Sequence, residues 1–338
     1  MDLHIFWFAL LGILLTGYAV LDGFDLGVGI VHLFAKGDAE RRVLLNSIGP
    51  LWDGNEVWLV TFGGALFSAF PRAYAAVMSG LYLPVMVLLA SLIGRAISIE
   101  FRSKRPEVFW RAYWDASFFF SSAMTVFIMG VVVGNAMRGL PVQTSGDVSV
   151  SLMDVFHPYP LAVGVLALAT CGMHGSIYLQ LKTEGTLLQR VRAWSWTSFG
   201  LFLVAYLGVT IATLVSIPHA TNNFRRWPIS WIVVALEILA IANIPRAFVQ
   251  KRASYAFASS IATIVGLVSL LGMALFPNLV RSSASDGSSL TIYNAASSEK
   301  TLGLMQLVAF LGMPFVIGYT AIVYWVFRGR TKLDKFSY

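Results

Sequence analysis

Charged residues are scarce in this chain. Only 12% of its 338 residues are Asp, Glu, Lys or Arg, whereas an ordinary soluble domain has roughly 25%. So few charges cannot cover a surface that faces water, which excludes a water-soluble globular protein. The hydrophobic residues make up 57% of the chain, and they gather in runs of about 20 or more, the length that crosses the hydrocarbon core of a bilayer as a helix. The sequence therefore predicts an all-α integral membrane protein.

Cysteine is almost absent, and so are the familiar metal and phosphate motifs. The single cysteine, Cys171, lies inside an apolar run, where it is predicted to pack as a small hydrophobic side chain. One cysteine excludes an internal disulfide framework. The patterns HExxH, paired CxxC and GxxxxGK(S/T) do not occur. We therefore predict no metal site in this chain.

Nine apolar segments are candidates for membrane-spanning helices within a single membrane domain, residues 1–338. The second segment is the weakest, because Asp53, Asn55 and Glu56 interrupt its start. The loop 277–301, which has no basic cluster, is expected to be an ordered outer loop. The predicted spans are residues 5–34, 51–70, 73–99, 116–137, 158–181, 194–217, 229–249, 254–276 and 302–327.

The positions of the basic residues support this span count. Of the 24 Lys and Arg, 18 lie in or beside the loops after the first, third, fifth and seventh spans or in the C-terminal tail, and 6 lie elsewhere. Positive charges favour the cytoplasmic side, so the N-terminus is predicted outside and the C-terminus in the cytoplasm. The net charge of +7 is then a topology signal, and nucleic acid is not an expected partner. The N-terminus has no Lys or Arg before its first run and is expected to be a retained span.

Acidic residues inside the membrane are costly, and this makes them candidates for function. The densest group comprises Asp22 and Asp25 in the first span with Asp53 and Glu56 in the second. The two acids of each pair are three positions apart in the sequence and so share a helix face. All four are predicted in the cytoplasmic part of the membrane, where they could converge. Four carboxylates in a low dielectric cannot all ionise without a cation, which favours a proton inlet or a cation site.

A second interpretation gives the same acids a structural role. They could form ion pairs with Arg41, Arg42 or Arg95 that hold the helix ends together. Glu237 is a separate case, since it lies near the middle of the seventh predicted span. It must be neutral, paired or facing a polar cavity. We therefore expect Glu237 to hydrogen-bond a neighbouring helix or subunit, with a role as a second polar site as the alternative.

Histidine bears on whether the chain could hold haem. A b-type haem needs axial ligands well inside the membrane, and electron-transfer haems commonly use two. Only His174 lies clearly inside a predicted span, because His4, His157 and His219 lie near outer ends and His32 near an inner end. We therefore predict that this chain ligates no haem iron. Trp52, directly before Asp53, is expected to belong to the interfacial aromatic belt or to pack between helices, with a contact to a flat, lipid-soluble quinone as the alternative.

The sequence resembles subunit II of the cytochrome bd quinol oxidases, and the likeness is strongest in the first hundred residues. The main segments are GYAVLDGFDLGVG at 17–29, ERR at 40–42 and NSIGPLWDGNEVW at 46–58. Shorter ones follow: GGALF at 63–67, FP at 70–71, YA at 74–75, FRSK at 101–104, FP at 276–277, SSLT at 288–291 and ASS at 296–298. Glu237 matches no motif of the family.

The resemblance implies a subunit of a terminal oxidase in the bacterial cytoplasmic membrane, which oxidises quinol and reduces oxygen to water. The expected partner is cytochrome bd subunit I, which in this family carries haems b558, b595 and d and the quinol-oxidising loop. A small single-span accessory subunit, the quinol pool and lipids are further partners that the resemblance implies. The family fold has two four-helix bundles and a peripheral helix.

By the same resemblance, Asp53 matches an acid implicated in carrying protons from the cytoplasm towards the haems, and Trp52 matches a position near a bound structural quinone. A cation-coupled membrane transporter remains the alternative, since transporters also place acids on helices interrupted by glycine. Co-purification with a haem-bearing subunit distinguishes the two functions.

Overall fold

The computed structural model describes residues 2–142, 148, 150–283 and 289–332. Thirteen α-helices and one small pair of strands account for most of these residues. The helices are α1 (Leu3–Val31), α2 (Gly37–Ile48), α3 (Trp52–Ala69), α4 (Pro71–Gly80), α5 (Tyr82–Phe101), α6 (Val108–Arg138), α7 (Leu152–Val155), α8 (Pro158–Lys182), α9 (Gly185–Ser216), α10 (Asn222–Arg226), α11 (Trp231–Val249), α12 (Ala253–Leu275) and α13 (Glu299–Val326). The strands β1 (Asn278–Val280) and β2 (Leu290–Thr291) pair antiparallel.

Eight helices of the described chain are long and apolar enough to cross a membrane, which confirms the all-α, multi-pass architecture. The second predicted span corresponds to α3, which is not among the eight. Its 18 residues extend about 27 Å at 1.5 Å per residue, close to the thickness of a hydrocarbon core. Asp53, Asn55 and Glu56 lower the hydropathy of its first turns. α3 is therefore long enough for a ninth span, and that span remains a prediction.

The long helices form two groups of four with one helix outside them. In the first group α1 packs against α3 and α6, and α5 packs against α6. In the second, α8 packs against α9 and α12, and α12 packs against α11. Contacts of α8 with α1 and α6 join the two groups. α13 has few contacts in the described chain, chiefly with α1 and α3, and Leu302 is its one buried residue.

The ends of the long helices lie at two opposite ends of the bundle, and contacts at each end show which helix ends lie together. The basic residues predict that the end where α1 begins is the outer end and that the end where α1 finishes is the inner one. At the predicted outer end, the Trp7 indole donates to the carbonyl of Leu302 at 3.1 Å. The loop that contains β1 and β2 is attached there, because Ser297 N–H donates to the Ala69 carbonyl at 2.8 Å. At the inner end, where α1 ends, the Lys182 ammonium donates to backbone carbonyls that follow α13. This alternation agrees with chain crossings that reverse direction each time.

The helix bounds differ from the predicted spans where helix continues into water or is interrupted. Residues 73–99 form two helices separated at Leu81, because Pro84 has no N–H for the Gly80 carbonyl and its ring would clash with that carbonyl. α9 begins at Gly185, although its apolar run begins near 194. A hydropathy run reports where a helix enters lipid, whereas backbone hydrogen bonding continues beyond that point. The residues 284–288 of the expected outer loop lie outside the described part of the chain.

Candidate functional site

Arg95 lies at the centre of a buried acid cluster near the inner end. From α5, its Nη1 donates to Asp22 Oδ1 at 2.6 Å and its Nη2 donates to Glu56 Oε2 at 3.2 Å. Arg95 and Asp22 are almost completely buried, whereas the Glu56 side chain is 21% exposed. The Trp52 ring covers the guanidinium, with Cζ 6.0 Å from the ring centroid. Burial strengthens these pairs and makes an unpaired member costly.

Asp25 is held by an amide instead of a cation. Asn55 Nδ2 donates to Asp25 Oδ2 at 2.7 Å and to the Leu21 carbonyl at 3.2 Å. The Tyr324 hydroxyl donates to Asn55 Oδ1 at 2.9 Å. This fixes the orientation of the amide, since its nitrogen must face a carboxylate and its oxygen a hydroxyl. Helices α1, α3 and α13 thus meet at one polar chain.

Asp53 is outside this cluster, although all four acids were expected to converge. It is exposed in the first turn of α3, and no ion pair forms to it among the described residues. Each residue advances an α-helix by about 100°. Asn55, two residues later, therefore faces the opposite side and meets Asp25 on α1. The structure brings Asp22, Asp25 and Glu56 together and leaves Asp53 on the surface.

The cluster carries more acid than base. Of its three carboxyl groups, those of Asp22 and Glu56 pair with the one guanidinium, and that of Asp25 accepts only from the Asn55 amide. Asp22 Oδ2 and Asp25 Oδ1 are buried and accept no hydrogen bond in the described part of the chain. The pairing of Asp22 and Glu56 with Arg95 agrees with the structural interpretation, and the unbalanced charge agrees with a proton or cation site.

A second ionic network, which the sequence interpretation missed, lies nearer the inner surface. Asp115 Oδ1 is 2.6 Å from His32 Nε2 and accepts from Arg102 Nε at 2.5 Å, while its Oδ2 accepts from Arg41 Nη1 at 2.9 Å. Arg102 also donates to Asp38 at 2.9 Å. Arg41 therefore binds Asp115 and not the acid cluster. Asp115 directly precedes a predicted span, so the sequence places it among loop residues. The structure shows that it is a buried acid.

Glu237 is buried between α11 and α12. Its carboxylate lies against Gly266, where a Cβ would overlap Oε2. Neither oxygen has a hydrogen-bond partner in the described chain. The hydrogen bond expected from Glu237 to a neighbouring helix is therefore not formed there. The structure places Glu237 apart from the acid cluster, and its role as a second polar site stays a prediction.

His174 is fully buried and both of its ring nitrogens are occupied. Nδ1 lies 2.8 Å from the Ser260 hydroxyl, and Nε2 lies 3.0 Å from the Val20 carbonyl. The ring stacks on Phe257 with centroids 5.0 Å apart. These contacts join α8 to α1 and α12. In the residues that the structure describes, no three His, Cys, Asp or Glu side chains are grouped as metal ligands.

Comparison with known proteins gives matches along nearly the whole chain. Residues 3–327 match the family model of cytochrome bd terminal oxidase subunit II. The chain is 36% identical to cytochrome bd-I ubiquinol oxidase subunit 2 of Escherichia coli K12, covering 98% of this chain and 96% of that protein. It is 35% identical to cytochrome bd ubiquinol oxidase subunit 2 of Bacillus subtilis 168, covering 98% and 97%. A solved bd oxidase structure from Geobacillus thermodenitrificans superposes with a TM-score of 0.80 at 18% identity, covering 97% and 99%, and shows the same fold.

Proposed function

This chain belongs to the cytochrome bd terminal oxidase subunit II family, and from that premise we propose that it assembles with subunit I and admits protons from the cytoplasm. It is a multi-pass subunit of a quinol oxidase. The haems b558, b595 and d would be held by subunit I, and the membrane would be the bacterial cytoplasmic membrane with the N-terminus outside. The cation-coupled transporter is not favoured, because the full-length matches are named as oxidase subunits.

One observation carries the proton-delivery proposal: a buried cluster with more carboxyls than cations beside an exposed acid. Exposure decreases from Asp53, which is exposed, to Glu56, which is 21% exposed, to Asp22, which is fully buried. Such a series can accept a proton at the surface and hold it inside. Asp25 extends the polar chain towards Tyr324 through Asn55. Asp53 and Glu56 would therefore receive protons, with Asp22 and Asp25 deeper in the cluster.

The position of Asp53 also supports a partner that covers this face. Val57 and Val60 on the same side of α3 are 51% and 70% exposed, so the surrounding surface is apolar. A carboxylate facing lipid within the membrane is costly. A subunit packed on α3 would shield Asp53 from lipid. Subunit I is the proposed partner, and a single-span accessory subunit would use another face.

Trp52 is the proposed contact for a quinone. Trp52 is half-buried and lies over Arg95, so part of its indole remains open to a flat ring. A structural quinone there would pack against the cluster without taking part in proton transfer. Binding would appear as quinone that co-purifies with the complex and is lost in Trp52→Ala.

The proposal is tested by Asp53→Asn in the two-subunit oxidase. Asparagine keeps the shape but cannot carry a proton, so quinol oxidase turnover should fall by about a hundredfold, the lower end of what proton-transferring groups contribute. Haem content and assembly should stay near those of the wild type. Asp53→Glu should keep part of the activity.

A matched control is Asp154→Asn, since Asp154 is an exposed acid at the opposite end of the bundle. That variant should turn over normally. An assembled Asp53→Asn oxidase with full turnover and full proton uptake from the cytoplasmic side would remove Asp53 from the mechanism. Loss of assembly in Asp53→Asn, with normal activity in whatever complex forms, would instead show a structural role.

A further inference from the structure

A cleft of about 270 Å³ opens at the outer end of the bundle, opposite the end that holds the acid cluster. It lies between the first turns of α8 and the last turns of α9. None of the eight described residues that line it is acidic. Arg138 and His157, at helix ends, form its mouth, and Ala162 and Ala212 line it about one turn inside α8 and α9.

The mouth of the cleft offers hydrogen-bond donors. Arg138, at the end of α6, donates from Nη1 to the Asp154 carbonyl at 3.2 Å and forms no ion pair with the described residues. His157 caps α8, since its Nδ1 accepts the Tyr159 N–H at 3.4 Å. A neutral imidazole that accepts at Nδ1 carries its proton on Nε2, which makes Nε2 a donor. Tyr159 is engaged, with its hydroxyl 2.9 Å from that of Thr213.

The lower part of the cleft is apolar because small residues leave room there. Ala162 on α8 and Ala212 on α9 are half-buried, so their methyl groups line the floor. Ile217 is also part of the lining and is buried. Larger side chains at either alanine would fill the groove. The site therefore combines a cationic rim with an apolar trough at the level where membrane helices meet the headgroups.

We infer that this cleft binds one phospholipid, with the headgroup phosphate on Arg138 and His157 and an acyl chain along Ala162 and Ala212. Guanidinium groups form short, charge-assisted hydrogen bonds with phosphate. The described lining contains no acid, so its charge is complementary to that of a phosphate. A free phosphate ion would bind at the rim alone, whereas a phospholipid would also occupy the trough. Occupancy of the trough therefore distinguishes a lipid headgroup from free phosphate. The inference does not depend on the proton-delivery proposal.

Native mass spectrometry of the purified two-subunit complex tests this inference. After extended detergent washing, the wild type should keep one phospholipid that Arg138→Gln and Ala212→Leu both lose. Arg138→Lys keeps the charge and should keep the lipid. Arg225→Gln is the matched control, because Arg225 is an exposed arginine on α10 at the same end, and it should match the wild type.

Two controls separate lipid from free anion and folding from binding. An excess of inorganic phosphate should not displace the lipid from the wild type. Ala162→Leu fills the same groove from α8 and repeats the test if Ala212→Leu does not assemble. Equal lipid retention in all variants would overturn the inference. Displacement by inorganic phosphate, or retention in both alanine variants, would also overturn it, because the trough would then hold no acyl chain.

Discussion

At the scale of single residues, Arg95 decides how the acids near the inner end are arranged. It is buried and hydrogen-bonds Asp22 and Glu56 at once, so losing it would leave carboxylates buried without a cation, at a cost of about 3–5 kcal/mol. The sequence singled out all four acids and offered Arg95 as a partner. Asn55 and Tyr324 were not singled out as site residues, because a neutral amide and a tyrosine near a span end are not unusual in composition.

His174 gives a prediction at this scale. His174→Ala should leave every haem band of the complex in place, because both ring nitrogens already bond to Ser260 and the Val20 carbonyl. Assembly should weaken by about 1–3 kcal/mol, the range for leaving a buried polar partner unsatisfied. Absorption spectra of the purified complex, normalised to protein, provide the measurement.

His219→Ala is the control for that prediction, since His219 is only partly buried and lies between spans. It should change neither spectrum nor assembly strongly. If one haem band disappears from an assembled His174→Ala complex, His174 is a ligand and the interpretation of both ring nitrogens as structural is wrong.

At the scale of helices, glycine determines how closely α1 approaches α8. A Cβ at Gly27 would overlap the carbonyl of Cys171, and a Cβ at Gly175 would overlap the backbone of Gly27. The helix backbones therefore touch without side chains between them, as small residues allow in membrane proteins. These glycines are visible in the sequence, but a glycine pattern does not say which helix lies opposite.

Gly27→Ala should consequently destabilise the subunit by about 1–3 kcal/mol, the usual cost of overpacking. The yield and thermal midpoint of the purified complex report this loss. Gly200→Ala on α9 is the matched control, because a Cβ there meets no atom within 4 Å. That variant should be neutral or slightly more stable, since alanine favours helix. Equal effects at both sites would contradict the close crossing of α1 and α8.

At the scale of the whole molecule, the contacts between helix ends support a chain that reverses direction at each crossing. α3 is central to this, since Asn55 meets Asp25 near the inner end and the Ala69 carbonyl meets Ser297 at the outer end. Without α3 as a crossing, the basic residues would no longer fall in alternate loops. Of the two acids at the polar start of α3, Glu56 pairs with Arg95 and Asp53 lies exposed on the surface of this chain.

Reporter fusions test the orientation of this arrangement. A reporter after Tyr338 should be active only in the cytoplasm, and one inserted in the loop 282–289 only outside, because basic loops stay in the cytoplasm. Tyr338 and residues 284–288 lie outside the described part of the chain. Equal locations for the two reporters would defeat the nine-span arrangement.

The sequence alone determined that the chain crosses a membrane repeatedly, which family it resembles and which acids are costly enough to carry function. These properties depend on local composition and spacing, because transfer into lipid is a property of each residue and its neighbours along the chain. Tertiary structure alone decided that Asp53 lies apart from Asp22, that Asp115 joins three basic side chains and that Glu237 has no hydrogen-bond partner in the described chain. Those outcomes depend on the rotation and depth of each helix relative to distant helices, which hydropathy does not encode.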